Sequence, residues 1–80
     1  MAFQLYTDAA LARDVPEYRL RRGDVVKIVD HHQSANGEVG YSIEVFNAVG
    51  DTIAVTTVSE SDLEPLHEHE VFSVRMLAAK

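Results

Sequence analysis

The sequence predicts a mostly β protein, a small five-stranded antiparallel SH3-like barrel with one short 3₁₀ or helical turn near residues 61–65. The chain has only 80 residues, so residues 1–80 can form one core but not two domains. Apolar residues in its middle recur at every second position, which is the period of strands. Glycine, asparagine and aspartate separate these runs and suit tight turns. Because five short strands are too few for two separate sheets, one sheet that curls onto itself is the most economical arrangement.

The first predicted strand begins near the amino terminus and ends near Arg13. Four apolar residues alternate along it, as on one face of a strand: Phe3, Leu5, Ala9 and Leu11. Residues 9–12 also have helical propensity, but the alternation favours a strand.

A structured loop is predicted for residues 14–22. Pro16 fixes its own φ angle and disfavours helix at the residue before it. We expect Val15 or Leu20 to point inward and to hold the loop against the core.

A second strand is predicted near residues 24–32, after a turn signal at Gly23. It is rich in valine and isoleucine, which suit a pleated surface. The polar residues 33–37 end it, because Asn36 and Gly37 can adopt the positive φ angles of a tight reversal.

An antiparallel hairpin is predicted to follow, with a loop at residues 47–51 that contains Gly50 and Asp51. Its first strand has one apolar face, formed by Val39, Tyr41, Ile43 and Val45. Its second strand is expected to repeat this pattern, with Ile53, Val55 and Thr57 on the inward apolar face, opposite Thr52, Ala54 and Thr56, and with Val58 after them.

A single helical turn and a last strand are predicted after the hairpin. Ser61 and Glu64 have the spacing of a capping box, and Pro65 limits the helix to about one turn. Phe72 and Val74 alternate with polar residues, which predicts a last strand within residues 71–77. Residues 68–80 are alternatively an extra strand, or a strand exchanged with another copy.

Composition excludes several classes of function. Seven basic and thirteen acidic residues give a net charge of -6, which repels phosphate backbones, so no nucleic-acid partner is expected. No apolar run is long enough to span a membrane, and residues 1–12 lack the pattern of a signal peptide. The chain contains no cysteine, which removes disulfides and thiol chemistry and favours a cytoplasmic location.

Catalytic and metal-binding patterns are weak in this sequence. If residues 67–69 were extended, His67 and His69 would share a face and could bind one metal ion, with His31 or a carboxylate as a third ligand. Exposed histidines are more often solvated surface groups, so we expect no metal site and no cofactor. The serines match no nucleophile motif, and the glycines at 37 and 40 precede a strand rather than a helix. We therefore expect the protein not to be an enzyme.

Two charged clusters are the candidate partner-binding residues. The acidic cluster consists of Glu60, Asp62, Glu64, Glu68 and Glu70. The basic cluster consists of Arg19, Arg21 and Arg22, which could bind an anion or an acidic peptide but share their loop with acidic residues.

The first hypothesis for the function is a protein-interaction module that binds through the acidic cluster and an exposed strand edge. The alternatives are a metal or small-ligand site, nucleic-acid binding despite the charge, and a homodimer or other self-associating unit.

A moderately specific pattern begins at Leu11, where leucine is followed, after two other residues, by aspartate, an apolar residue, proline and glutamate. Residues 22–25 then have the order Arg-Gly-Asp-Val. Residues 44–46 add a glutamate, a valine and an aromatic residue. With residues 28–30, 52–55 and 62–63, these stretches resemble the bacterial family known as domain of unknown function 4926, over roughly residues 5–66. Arg19 and Val26 stand where such sequences often carry glycine.

The resemblance implies a stand-alone bacterial small barrel. Some members of this family are encoded beside toxin-like proteins, so the resemblance also implies an antitoxin or immunity-like role towards the product of a neighbouring gene. This role agrees with the residue-level hypothesis, because a small acidic barrel without catalytic groups is suited to binding another protein.

Overall fold

Five antiparallel strands form a single sheet in the computed structural model, which describes residues 3–77. The strands are β1 (Asp8–Leu11), β2 (Val25–Gln33), β3 (Val39–Phe46), β4 (Thr52–Ser59) and β5 (Leu63–Glu64). Their order across the sheet is β4-β3-β2-β1-β5, and the sheet curls into a half-barrel. The predicted mostly β, five-stranded SH3-like class is confirmed. Within residues 3–77 the helical elements are two 3₁₀ turns, Pro16–Tyr18 and Glu60–Asp62, and no helix there is long and apolar enough to cross a membrane.

Strand β1 is shorter than the predicted first strand. The chain turns at Tyr6, whose φ angle is 65°, and the strand then ends at Leu11 rather than near Arg13. Three consecutive residues of β1, Ala9 to Leu11, are buried. Ala9 and Leu11 belong to the core cluster, whereas Ala10 points to the opposite face and is buried as well.

The loop after β1 is held against the core, as predicted. Val15 and Leu20 exchange backbone hydrogen bonds of 3.0 and 3.1 Å, and the Leu20 side chain is buried. Arg19 adopts the left-handed conformation with a φ angle of 59°. Glycine reaches this conformation without the steric penalty that a side chain brings, so Arg19 holds a backbone conformation that non-glycine residues rarely adopt.

Strands β2 and β3 provide four of the five largest fully buried side chains, and β1 provides the fifth. Tyr41, Ile43 and Val45 are buried on one face of β3, which confirms the predicted apolar face. In β2 the register shifts between Ile28 and Asp30, so Val29 is the extra residue of a β-bulge. The hydroxyl of the buried Tyr41 accepts a hydrogen bond of 3.0 Å from the backbone N–H of Phe3. The amino-terminal residues thus cover one end of the core.

The predicted inward face of β4 is wrong. Its buried or half-buried residues are Ala54, Thr56 and Val58, whereas Ile53, Val55 and Thr57 are exposed. Directly opposite residues of antiparallel strands share a face, and these three inward residues pair with Val45, Ile43 and Tyr41 in that order. In each of these pairs the inward side chain of β4 is smaller than its partner on β3. A bulge at Ile53, between the pairs Val45–Ala54 and Phe46–Thr52, sets this register.

The chain after β4 also differs from the prediction. The 3₁₀ turn spans Glu60–Asp62, and its cap is Ser59, whose N–H donates to the Asp62 carboxylate at 3.0 Å. The predicted capping pair of Ser61 and Glu64 is therefore displaced by two residues. The last strand is β5, which pairs with β1, while residues 71–77 form no strand. A two-residue strand carries no alternation, so the sequence pattern could not reveal β5.

Candidate functional site

The four histidines are not assembled into a metal site within residues 3–77, where no group of three or more His, Cys, Asp and Glu side chains could hold an ion. The His31 ring lies 5.5 Å from the ring of Tyr41. The His32 Nε2 atom lies 2.6 Å from the Ser42 hydroxyl oxygen. His67 and His69 are exposed beyond β5. The alternative of one metal site shared by His31, His67 and His69 has no support among the described residues.

Asp62 is a structural member of the acidic cluster. It is buried, and its carboxylate lies 2.6 Å from the Arg13 Nε atom. It also accepts hydrogen bonds of 3.0 Å from the backbone N–H and the hydroxyl of Ser59. These contacts fasten the 3₁₀ turn to Arg13, the second residue after β1. The carboxylate faces Arg13 rather than a partner.

The other acidic residues lie closer to solvent. Glu64 is half-buried on β5, and one of its oxygens lies 3.9 Å from Arg22. Glu68 and Glu70 are exposed in a turn, where Glu70 accepts a hydrogen bond of 2.6 Å from the backbone N–H of His67. Glu60 is half-buried in the 3₁₀ turn. The structure therefore places Glu68 and Glu70 where a partner can reach both.

The three predicted arginines lie together in the loop before β2, but acidic groups accompany them. The backbone N–H of Arg21 donates to Asp24 at 2.7 Å, and that of Arg22 donates to Asp14 at 2.8 Å. The Arg19 carbonyl accepts a hydrogen bond of 3.3 Å from Arg75. This arrangement is a mixed-charge surface rather than a cationic one.

Arg75 makes a contact that sequence reasoning missed. Its Nε atom donates to the Asp24 carboxylate at 3.0 Å, and a second guanidinium nitrogen donates to the other carboxylate oxygen. Burial alone would raise the pKa of Asp24, but the hydrogen bonds and charges of Arg75 and Arg21 outweigh it, so this pKa lies below its ordinary value. The two partners are 51 residues apart, and no local pattern connects them.

The C-terminal segment (residues 66–77) is the most exposed apolar part of the described chain. The exposed fractions of its large side chains are 89% for Val71, 77% for Phe72, 90% for Val74 and 85% for Met76. The segment follows β5, which is paired with β1, and it is attached again at Arg75. The segment is therefore held at its start by β5 and near its end by Arg75, while the four side chains between and beside these points are exposed to solvent.

The sheet has two dissimilar ends. Strand β5 has two residues, one of them Glu64, and Pro65 follows it. Strand β4 has eight residues, Thr52–Ser59, and none of them is charged or a proline. Val55 on β4 is 55% exposed. The described chain thus offers two unusual surfaces, the C-terminal segment and the β4 edge.

Comparison with known proteins relates the chain to a protein family. No curated protein and no solved structure is significantly similar to the chain. The model of a family described as a domain of unknown function matches residues 5–65, from before β1 to just after β5. The C-terminal segment lies outside this match. Since the match covers most of the sequence, the chain belongs to the family described as domain of unknown function (DUF4926).

Proposed function

We propose that this chain is a non-enzymatic protein-interaction module that binds another protein through its C-terminal segment. The observation that supports this is the exposure of Val71, Phe72, Val74 and Met76, which are all at least 77% exposed. Adjacent apolar side chains are rarely left in water by a soluble protein unless they contact a partner. Burial of these side chains in a complex would supply the affinity.

The acidic residues beside the apolar side chains suggest that the partner carries positive charge. Between Glu60 and Glu70 the sequence contains no lysine or arginine, and Glu68 and Glu70 lie directly before the apolar residues. Complementary charge accelerates association and sets orientation. We therefore infer a partner whose apolar groove has a basic rim.

The finer form of the proposal is an antitoxin or immunity-like protein whose partner is the toxin-like product of a neighbouring gene. The support is the family resemblance together with an acidic surface. The cysteine-free composition favours the cytoplasm as the place where both proteins meet.

The proposal is tested with the purified product of the neighbouring gene and isothermal titration calorimetry. Replacement of Phe72 by Ser removes an aromatic anchor and should weaken binding by at least about 30-fold, the scale of an interface hot spot. Val49→Ser is the matched control, because Val49 is 82% exposed in the β3–β4 loop, and it should leave the affinity unchanged.

Charge is tested separately with the Glu68→Lys/Glu70→Lys double variant. We expect this variant to bind about tenfold more weakly, mainly through slower association, with a reduced dependence on salt. Equal affinities for the wild-type protein and for both sets of variants would refute binding through the C-terminal segment.

A further inference from the structure

Arg75 differs from the other residues of 71–77, because it is half-buried while the rest are exposed. Its side chain is turned onto the loop before β2, where it contacts Asp24. Val74 and Met76, on either side of it in the chain, are 90% and 85% exposed. The contact of Arg75 therefore fastens the C-terminal segment without covering its apolar side chains.

The site that receives Arg75 is built by backbone contacts within the part of the chain that matches the family. The N–H of Asp24 donates to the Arg21 carbonyl at 3.0 Å, and the N–H of Arg21 donates to the Asp24 carboxylate at 2.7 Å. The Asp24 carbonyl also accepts a hydrogen bond of 2.9 Å from the N–H of Leu11 in β1. The carboxylate is thus held in place by contacts that do not involve Arg75.

The guanidinium of Arg75 binds this carboxylate and two carbonyl groups at once. It donates to both carboxylate oxygens of Asp24. It also donates to the Arg19 carbonyl at 3.3 Å and to the Met76 carbonyl at 3.2 Å. Because Met76 belongs to the segment itself, one side chain restrains both the position of the segment and its local backbone.

We propose that Arg75 is a positioning residue, which orders the C-terminal segment for its partner by binding the Asp24 carboxylate. A segment that is already ordered loses less conformational entropy when it binds. Since Val74 and Met76 stay exposed beside the anchor, the contact presents these side chains and does not mask them. This inference rests on the proposed function, because it concerns the same segment and the same partner.

Nitrogen-15 relaxation of the free protein tests the ordering without a partner. Backbone order parameters at residues 74–76 should be about 0.8 or higher in the wild-type protein and below about 0.6 in Arg75→Gln. Arg22→Gln is the matched control, because it removes the same charge from a side chain that is 72% exposed, and it should leave these values unchanged. Equal order parameters in the wild-type protein and in Arg75→Gln would overturn the proposal.

Calorimetry with the purified product of the neighbouring gene tests the consequence for binding. Arg75→Gln should bind about tenfold more weakly than the wild-type protein. Arg75→Lys should lose less affinity, because it keeps the charge and one donor group. Arg22→Gln should bind no more weakly than the wild-type protein. Loss of a positive charge by itself favours a partner with a basic rim, so weaker binding by Arg75→Gln is assigned to the lost anchor.

A double-mutant cycle checks that Arg75 acts through Asp24. Asp24→Asn removes the charge of the acceptor with little change of shape, and the Asp24→Asn/Arg75→Gln variant should bind no more weakly than Arg75→Gln alone. Additive losses would contradict this coupling. Circular dichroism melting verifies that each variant is folded at the temperature of the measurement.

The variant Phe72→Ser separates failure of this inference from failure of the proposed function. If Phe72→Ser weakens binding while Arg75→Gln binds as tightly as the wild-type protein or more tightly, the inference is overturned and the proposed function stands. If neither variant weakens binding, both are overturned. Weaker binding by both variants, with the predicted loss of order at residues 74–76 in Arg75→Gln, is the result that supports the inference.

Discussion

At the scale of single residues, the carboxylates of Asp62 and Asp24 have structural roles. Asp62 is buried and satisfied by Arg13 and Ser59. Asp24 binds the Arg75 guanidinium through both oxygens and also accepts the backbone N–H of Arg21. Each carboxylate connects segments that are distant in sequence, and bidentate arginine pairs are the stronger class of such contacts. These two aspartates therefore hold the fold together rather than contact a partner.

The ion pair of Asp24 with Arg75 makes stability depend on pH. The pKa of Asp24 is lowered from its ordinary value of 3.8, so its contribution is present above that pH and is lost as the pH falls through the folded-state value. We expect Arg75→Gln to unfold at a lower temperature than the wild-type protein at neutral pH. The gap should close below about pH 4. Melting curves between neutral and acidic pH measure both effects.

The control for this prediction is Arg22→Gln. The Arg22 side chain is 72% exposed and lies 3.9 Å from Glu64, so its removal should change the melting temperature little at any pH. A gap between Arg75→Gln and the wild-type protein that stays constant into acid would show that Arg75 acts through packing rather than through the Asp24 charge.

At the scale of elements, sequence period identified β3 correctly and misassigned the faces of β4. The large apolar residues of β3 alternate with polar ones, so its inward face was predictable. In β4 every residue is small or β-branched and none is charged, so both faces look equally apolar. The bulge at Ile53 and the pairing with Tyr41 and Ile43 then decide which face is inward. Such long-range register is not encoded in a local pattern.

The two valines of β4 test this assignment directly. Val58 is 8% exposed and Val55 is 55% exposed, although both occupy the same strand. We expect Val58→Ala to lower the free energy of unfolding by about 2 kcal/mol, because it removes buried methyl groups and leaves a cavity. Val55→Ala should lower it by less than about 0.5 kcal/mol in the monomer. Urea denaturation at low protein concentration measures the difference, and the reverse order would contradict the assigned face.

At the scale of the whole molecule, the family match and the C-terminal segment are separate parts of the chain. Residues 5–65 match the family and contain all five strands. The acidic character of the surface followed from composition alone, because charge counts need no structure. The attachment of the segment by Arg75 could not be predicted, since it joins residues 51 positions apart. The alternation of apolar and polar residues within 71–77 indicated a strand. The same alternation is equally compatible with a segment that pairs with a strand, or binds in a groove, of another protein.

Binding through the C-terminal segment is tested most directly by amide hydrogen exchange of the full chain, alone and in complex with the product of the neighbouring gene. The free protein should exchange rapidly at residues 71–77, because these residues belong to no strand, and slowly in β2 and β3. In the complex we predict strong protection of residues 71–77 with little change in β1 and β5. Unchanged exchange at residues 71–77 in a complex that protects another surface would contradict this account.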